Sequence, residues 1–223
     1  MRGFSMRVIV GLLVVSTILA LAGCGGSTPI PTPGDSATHL EAGRAYFEAG
    51  NLEKAIVELE AAVQAEPTST EAHFLLGNAY AKQGQLDKAA EEFKAVLDLD
   101  ANNVGAHANL GVVYYQKELL NEAVSEFQAA LNIVPDDAEV HYLLGAAYVQ
   151  MGRLDEALKE FQTALEYDPD LPEPYFGLGT VYKLQGNKEE AIKAFEHFLE
   201  IGPGQDSQAQ VEAERMLKEL KGQ

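Results

Sequence analysis

The chain has 223 residues, of which 34 are acidic and 16 basic, and its formal net charge is −18 at neutral pH. This negative charge repels phosphate backbones and argues against a nucleic-acid partner. The hydrophobic content of 47% is ordinary for a globular chain and argues against a disordered one. The single cysteine, Cys24, excludes an internal disulfide, and one thiol is too few for a structural zinc site.

The first element in chain order is an apolar segment near the amino terminus. Arg2 and Arg7 precede residues 8–21, which contain no charged side chain, and small residues follow. A positive start, a short apolar run and small residues at its end predict a secretory signal peptide over residues 1–23. The alternative is an uncleaved transmembrane anchor, which needs about 20 predominantly apolar residues.

The end of this segment, Leu21-Ala22-Gly23-Cys24, resembles the lipobox of bacterial lipoproteins. The resemblance implies that the chain is cut just before Cys24 and that this residue is lipidated by acyl chains such as palmitate. Several acyl chains hold a protein on a membrane better than one, at about 0.8 kcal/mol per buried CH₂. The alternative is a cysteine that falls by chance in an ordinary signal peptide.

The residues after the cysteine bear on where the protein resides. In many Gram-negative lipoproteins an aspartate at this point retains the protein in the inner membrane, and this chain has Gly25 there. The resemblance therefore implies a lipid-anchored, extracytoplasmic protein of the bacterial cell membrane, in the outer membrane and periplasm if the host is Gram-negative. Residues 24–35 contain three prolines and three glycines. Such a segment cannot bury a core and predicts a flexible tether.

The remainder of the chain, from residue 36 to about residue 203, repeats with a period of 34 residues. Glycine, tyrosine and alanine recur at this step in five units, and phenylalanine and proline recur in four. Leu59 stands at the first phenylalanine position, and Ala101 stands at one proline position. This agreement predicts a tandem repeat. The recurring residues are Gly43, Gly77, Gly111, Gly145 and Gly179; Tyr46, Tyr80, Tyr114, Tyr148 and Tyr182; Ala55, Ala89, Ala123, Ala157 and Ala191; Phe93, Phe127, Phe161 and Phe195; Pro67, Pro135, Pro169 and Pro203.

These residues follow the pattern L-G-x-x-Y … A-x-x-x-F … P, in which the chain resembles the tetratricopeptide repeat. The resemblance implies an all-α fold, a right-handed α-solenoid of five helix pairs that stack to share one core. After the repeats, residues 206–221 predict a capping helix that covers the exposed end of the last unit. The five units span residues 36–69, 70–103, 104–137, 138–171 and 172–203.

Each unit is interpreted as a helix A, a tight turn and a helix B. In the second unit the apolar spacing predicts helix A over residues 70–83 and helix B over residues 86–99. Gly77 on helix A has no bulky side chain, which lets helices A and B of this unit approach closely. In the third unit Glu118 replaces the glycine that closes the turn elsewhere, so this turn is expected to be strained or differently closed.

Histidine recurs at one position of the period and raises the question of a metal site. Adjacent packed helices lie about 8–10 Å apart, whereas each nitrogen that binds zinc lies about 2.0–2.1 Å from the ion. Equivalent histidines of neighbouring units are therefore too far apart, and core packing is favoured over metal binding. The sequence predicts no metal and no cofactor. The position is occupied by His39, His73, His107 and His141, and by Tyr175 in the fifth unit.

The sequence also offers no arrangement of catalytic groups. The glycines belong to the repeat and form no phosphate loop, and no nucleophile lies near a base. The paired carboxylates Glu91-Glu92 and Glu189-Glu190 lie near the starts of helices B, where negative charge is favourable and solvated. The protein is therefore predicted not to be an enzyme.

The resemblance implies that the A helices line a concave groove that binds other proteins or extended peptides. Aromatic residues in this groove would be good anchors for partner side chains. The alternative is that some of these residues pack between adjacent A helices. The positions of the family's groove carry Arg44, Phe47, Phe74, Asn78, Lys82, Asn109, Val112, Tyr115, Tyr142, Ala146, Val149, Phe176, Thr180 and Lys183.

Two asparagines suggest how a peptide could be held. Asn78 and Asn109 resemble the asparagine pair of the arrays that clamp the terminal carboxylate of chaperones. An amide offers both a donor and an acceptor and can bind a peptide backbone without reading its sequence. The basic residues of that clamp are replaced here by Phe74, Glu139 and Leu143. Binding of a terminal carboxylate is therefore not expected, whereas backbone binding remains a hypothesis.

Together these features predict a membrane-anchored, extracytoplasmic adaptor that mediates protein–protein interactions in the bacterial cell envelope. The chain resembles lipoproteins of this kind that assist pilus or secretion assembly, as pilotins do, or that recruit peptidoglycan enzymes. A self-assembling structural repeat protein is the second alternative. A cytosolic co-chaperone is disfavoured by the lipobox and by the missing basic residues. The oligomeric state and the identity of the partner do not follow from the sequence.

Overall fold

The computed structural model describes residues 36–202 and 207–222. Within these ranges every regular element is an α-helix, and there are eleven. None of these described helices combines the length and the apolar character that crossing a bilayer requires. The predicted signal peptide, the tether and Cys24 lie outside the described residues. The helices are α1 Ser36–Glu48, α2 Leu52–Ala65, α3 Thr70–Lys82, α4 Leu86–Leu99, α5 Val104–Gln116, α6 Leu120–Ile133, α7 Ala138–Gln150, α8 Leu154–Tyr167, α9 Pro172–Gln185, α10 Lys188–Ile201 and α11 Ser207–Lys221.

The starts of three A helices are fixed by polar side chains. Ser69, Asn103 and Asp137 each accept a hydrogen bond from the backbone N–H three residues later, at 3.4, 2.9 and 3.1 Å. Such a bond satisfies one of the amide groups that have no partner in the first turn, and its loss costs about 1 kcal/mol. These caps explain why α3, α5 and α7 begin where they do.

The turns between helix A and helix B are closed by one residue in the left-handed conformation. Gly84 has a φ of +79°, and the glycines of the first, fourth and fifth units have the same conformation. Glu118 adopts it as well, with a φ of +61°. The third turn is therefore closed like the others. The Glu118 side chain makes this left-handed conformation strained, at a cost of about 1–2 kcal/mol. This is one of the two outcomes that the sequence predicted.

The described chain divides into two compact units, residues 36–118 with α1–α5 and residues 119–222 with α6–α11. In the first unit the fully buried Phe93 lies against Gly77, where a Cβ would come within 2.8 Å of the ring. In the second unit Phe161 has the same relationship with Gly145, at 2.7 Å. A glycine on helix A therefore lets the aromatic ring of helix B enter the core of each unit.

Histidines that recur with the period join helix A to helix B of the same repeat, as His73 and His141 show. The Nδ1 atoms of His73 and His141 lie 2.6 and 2.7 Å from carboxylate oxygens of Glu92 and Glu160. Their Nε2 atoms face the carbonyl oxygens of Pro67 and Pro135, at 3.0 Å. Each imidazole thus connects two helices and the preceding loop. In the fifth repeat Tyr175 and Ala194 occupy the equivalent positions.

Three of the tyrosines that recur with the period contact helix B of the preceding repeat, each with different chemistry. The Tyr80 hydroxyl donates to the Glu60 carboxylate. Lys94 lies over the Tyr114 ring, 5.7 Å from its centroid. In the second unit Gln128 donates to the Tyr148 hydroxyl at 3.1 Å. Burial, followed by the bond to Glu60, raises the pKa of the Tyr80 hydroxyl, which stays protonated as a donor.

The terminal helix α11 packs against α10. Ala213 is fully buried, and Leu217 is buried beside it. Lys221 donates to Glu196 at 2.6 Å and adds a polar contact at the edge. The predicted fold class, an all-α tandem array of helix pairs of the α-solenoid type, is confirmed by these helices.

Candidate partner-binding surface

The A-helix residues of the first unit present a partly open surface. Arg44 is exposed and forms an ion pair with Glu71 of the next repeat. The Lys82 ammonium lies over the half-buried Phe47 ring, 4.3 Å from its centroid. Burial lowers the pKa of Lys82. An aromatic ring, a guanidinium and an ammonium therefore lie on the same stretch of α1 and α3.

The two asparagines highlighted by the sequence are in direct contact. Asn109 donates from Nδ2 to Asn78 Oδ1 at 2.8 Å. Asn78 is 8% exposed, and Asn109 is half-buried. This bond leaves the Asn78 amide hydrogens and the Asn109 carbonyl oxygen in reach of other groups. One donor group and one acceptor thus stand side by side between α3 and α5.

Other predicted residues of the first unit serve packing. Phe74 is half-buried and lies edge-on to Phe93, with ring centroids 5.8 Å apart. Gly105 lies beside it, where a Cβ would be 3.2 Å from the ring. Val112 and Tyr115 are buried, at 1% and 2% exposure. Among Phe74, Val112 and Tyr115, Phe74 alone keeps a part of its side chain accessible.

In the second unit the predicted groove residues close on one another. Tyr142 and Phe176 are both 2% exposed, and Thr180 is 5% exposed and donates to the Phe176 carbonyl. Together with Ala146 and Val149 they surround a void of about 10 Å³, which has room for about one water molecule. These residues follow the packing alternative and are not accessible to a partner.

The last predicted groove residue, Lys183, is directed to the terminal helix. Its ammonium donates to Glu219 at 2.7 Å. The ion pair lowers the pKa of the Glu219 carboxyl, chiefly through the hydrogen bond from Lys183. Lys183 therefore contributes to the contact between α9 and α11.

Negative charge surrounds the position where a carboxylate clamp would have a basic residue. Glu139 lies on α7 with Asp137, Glu173 and Asp168 around it. Desolvation, and then the charges of these three neighbours, raise the pKa of the Glu139 carboxyl. A terminal carboxylate would be repelled here.

An open pocket that the sequence did not predict lies in the crease between α9 and α10. Its volume is about 440 Å³. The sequence contained a usable signal, since the fifth repeat has Ala194 where the second and fourth repeats have the glutamates that meet their histidines. The lining residues are Tyr175, Leu178, Tyr182, Glu190, Lys193, Ala194 and His197.

The described residues offer no cluster of three or more histidine, cysteine or acidic side chains that could hold a metal ion. His73 and His141 are instead engaged with glutamates and loop carbonyls of their own surroundings. Their local bonding agrees with the packing interpretation.

Comparison with protein families identifies the repeats. The TPR repeat family matches residues 43–84, 77–118, 113–152 and 147–186, and the tetratricopeptide repeat family matches residues 172–205. These matches cover well over half of the chain. No curated protein matches the sequence significantly.

Solved structures show the same architecture. MamA from Desulfovibrio magneticus RS-1, residues 41 to its end, is 26% identical with a TM-score of 0.70, over 79% of this chain and 100% of that one. TTC0263, a thermophilic TPR protein in Thermus thermophilus, is 24% identical with a TM-score of 0.66, over 82% and 98%. YrrB, described as a TPR protein with an unusual peptide-binding site, is 23% identical with a TM-score of 0.64, over 81% and 92%. The last two likenesses show the fold.

Proposed function

The chain belongs to the tetratricopeptide-repeat family, and on that premise we propose that it is a lipid-anchored adaptor that holds partner proteins in the bacterial cell envelope. Tetratricopeptide arrays serve as scaffolds for protein–protein interaction. The proposal has two parts, an anchor at Cys24 and a partner surface on the first unit. Each part rests on different residues and has its own test.

The anchor is supported by the order of elements at the amino terminus. An apolar run of signal-peptide length ends in Leu21-Ala22-Gly23-Cys24, and a tether over residues 24–35 leads to the first repeat. A segment of this length, fully extended, reaches about 40 Å, enough to lift the repeats off the headgroups. Two or more acyl chains give stable attachment, whereas one gives marginal attachment.

The partner surface is supported by one observation above all, the contrast between the two units. At one position of the period the first unit leaves Phe74 half-buried, whereas the second unit buries Tyr142 and Phe176. Arg44, Phe47 and Lys82 of the first unit are also exposed or half-buried. A partner therefore finds accessible aromatic and charged groups on α1 and α3, and the half-buried Asn109 on α5. Aromatic side chains and arginine are common anchors at protein interfaces.

The chemistry of this surface suits an extended peptide. Asn78 offers amide hydrogens and Asn109 offers a carbonyl oxygen, which together match one peptide unit of a backbone. Phe47 and Lys82 lie on neighbouring helices and can pack against a peptide side chain. YrrB, which shares the fold, carries a peptide-binding site according to its description.

The partner surface is tested by site-specific photo-crosslinking in the native host. A benzoylphenylalanine at position 47 should capture a discrete partner, and one at the exposed position 57 on α2 should not. Asn78→Ala combined with Asn109→Ala should reduce capture about tenfold, the effect of one or two lost hydrogen bonds. Asn121→Ala combined with Asn132→Ala removes the same groups from the exposed face of α6 and should leave capture unchanged.

Two results would contradict this part of the proposal. Equal capture from positions 47 and 57 would show that the A helices have no special role. Adducts formed solely between copies of this chain would favour the self-assembling alternative. The anchor is tested separately by mass spectrometry of the mature amino terminus. Lipid on Cys24 supports it, and an uncut, unmodified Met1 overturns it. Cys24→Ser should release the protein from the membrane fraction, whereas Ser27→Ala in the tether should not.

A further inference from the structure

The tyrosine that recurs in each repeat has a cation over its ring in four of the five repeats. The cation comes from three different positions of the period, so the contact recurs although its source changes. All four distances lie within the range of about 6 Å at which a cation is attracted to an aromatic face. The pairs are Tyr46 with Lys54 at 5.3 Å, Tyr80 with Lys88 at 4.8 Å, Tyr114 with Lys94 at 5.7 Å and Tyr148 with Arg153 at 4.4 Å.

Tyr182, the fifth tyrosine, differs from the other four. The three positions that supply a cation elsewhere carry Glu190, Asn187 and Gln162 in its surroundings. Glu190 corresponds to Lys54 and Lys88, Asn187 to Arg153, and Gln162 to Lys94. Across residues 36–202 and 207–222, accordingly, no cation lies over the Tyr182 ring. The half-buried ring instead forms part of the open pocket between α9 and α10.

The pocket is open because the fifth repeat lacks the histidine–glutamate pair. Ala194 stands where Glu92 and Glu160 meet their histidines, so no carboxylate fills this space. Tyr175 replaces the histidine, and its hydroxyl donates to the Pro169 carbonyl at 3.2 Å. The pocket of about 440 Å³ can admit a long side chain.

From these contacts we infer that the crease between α9 and α10 is a second binding site, which takes an arginine or lysine side chain presented by a partner protein. The guest cation lies over Tyr182, where the other repeats place their own cations. Glu190 supplies the counter-charge at the rim, and Leu178 contacts the aliphatic stem. The net charge of −18 favours the approach of a basic partner.

The two basic residues at the rim leave room for this guest. His197 lies edge-on to Tyr175 at 4.3 Å and faces Glu200 at 3.6 Å, so its ring is already engaged. Lys193 is exposed, and its ammonium can turn into solvent. The site is distinct from the A-helix surface of the first unit, and it does not depend on the function proposed for that surface.

The test measures binding of two short peptides to the purified full chain by NMR at about 0.15 M salt, the physiological ionic strength. The probes are Ac-Gly-Arg-Gly-NH₂ and the same peptide with citrulline, which keeps the shape and removes the charge. The ring signals of Tyr182 are identified by their loss in Tyr182→Phe. The arginine peptide should shift these signals saturably, and the citrulline peptide should bind at least about threefold more weakly.

Substitutions on α10 locate the site. Glu190→Lys restores the residue that covers Tyr46 and Tyr80 in the first two repeats, so it should reduce binding at least about tenfold. Glu189→Lys makes the same charge change one residue away and outside the pocket, and it should retain most of the binding. Glu190→Gln should weaken binding about threefold. Circular dichroism checks that all three variants remain helical.

Three outcomes would overturn the inference. Equal binding of the arginine and citrulline peptides would show that charge is not recognised. Equal losses in Glu189→Lys and Glu190→Lys would reduce the effect to general electrostatics. A larger shift of Tyr182 with Ac-Gly-Glu-Gly-NH₂ would show that Lys193 and His197 make the pocket an anion site. None of these results bears on capture at position 47.

Discussion

The Lys183 ammonium donates to the Glu219 carboxylate at 2.7 Å and so joins α9 to the terminal helix α11. The two residues are 36 positions apart in the chain. Lys183 was predicted to line a partner groove, but here it contacts the chain's own last helix. The end of the array is therefore held by polar as well as apolar contacts.

This ion pair should make a small, acid-sensitive contribution to stability. The folded-state pKa of Glu219 is lowered, so the pair stabilises the fold above the ordinary value of 4.5 and its contribution disappears as the pH falls through the lowered pKa. Lys183→Met should therefore lower the free energy of unfolding by less than about 1 kcal/mol at neutral pH, because the pair is partly exposed. Once acid has protonated Glu219, the substitution should have no measurable effect. Urea unfolding at both pH values checks this, with the exposed Lys188→Met as the control. A loss that persists in acid would point to packing rather than charge.

The apolar side of α11 should matter more. Leu217 is 8% exposed against α10, whereas Val211 on the same helix is 64% exposed. Leu217→Ala should lower the free energy of unfolding by about 2–3 kcal/mol, and Val211→Ala by less than about 0.5 kcal/mol. Chemical denaturation measures both. Similar losses at the two positions would mean that α11 is not held by this face.

The strained turn of the third repeat can be relieved. Glu118 has a φ of +61°, in a conformation that glycine adopts without steric cost. Glu118→Gly should stabilise the protein by about 0.5–1 kcal/mol, after allowing for the greater flexibility of glycine in the unfolded chain. The reverse change, Gly84→Glu, should destabilise it by a similar amount, since nothing lies within 4 Å of a Cβ there. Opposite shifts in the unfolding midpoint are expected, and shifts of the same sign would contradict the explanation.

The histidine–glutamate pairs should be energetically coupled. The fifth repeat shows that tyrosine and alanine can replace both members together. Glu92→Ala alone removes a partner of the buried His73 and should cost about 1–2 kcal/mol. The double change His73→Tyr with Glu92→Ala should cost at least about 0.5 kcal/mol less than the sum of the single changes. A double-mutant cycle by urea unfolding measures this difference, and strict additivity would show that the two residues act independently.

The acidic surroundings of Glu139 should oppose folding at neutral pH. The side chain is exposed, but partial desolvation and then the neighbouring acidic groups raise its folded-state pKa. Its ionised form is therefore the unfavourable one, and the penalty grows as the pH rises from the ordinary value through that raised pKa. Glu139→Gln should therefore raise the melting temperature at neutral pH and have little effect below the ordinary pKa. The exposed Glu122→Gln on α6 serves as the control. A gain that is equal at both pH values would exclude a titrating carboxylate as its cause.

The 34-residue period predicted most of the fold, but it predicted less well which side chains are accessible at the surface. Helix B of the second repeat spans Leu86–Leu99 as predicted, because its apolar spacing depends on its own residues. The accessibility of Phe74 and Phe176 could not be predicted in this way, although they occupy the same position of the period. Both rings pack against the recurring phenylalanine of helix B, Phe93 or Phe195, at 5.8 and 5.5 Å, but Phe176 also packs against Phe198 at 5.4 Å. Phe198 is not a residue of the motif, and the second repeat has Val96 at its position.

The contact between Asn78 and Asn109 could not be predicted from the sequence either. Their spacing suggested that both face a peptide, but it did not indicate that the two amides would bond to each other. The pocket at Tyr182 was missed for a different reason. The pocket exists because Ala194 replaces the glutamate of other repeats and Glu190 replaces a lysine. A search for residues that recur does not reveal positions at which the recurring residue is replaced.

The contacts of the period tyrosines restrict how such an array can change its length. Excision of residues 70–103 would bring the Tyr114 hydroxyl to the Glu60 carboxylate, a suitable donor–acceptor pair in place of the one made by Tyr80. Excision of residues 104–137 would bring Lys94 to Tyr148, whose ring is already covered by Arg153 at 4.4 Å. Two cations would then compete for one ring. Loss or duplication of a repeat is thus better tolerated at some boundaries between repeats than at others. The repeats are therefore not interchangeable, and their order matters for the contacts between them.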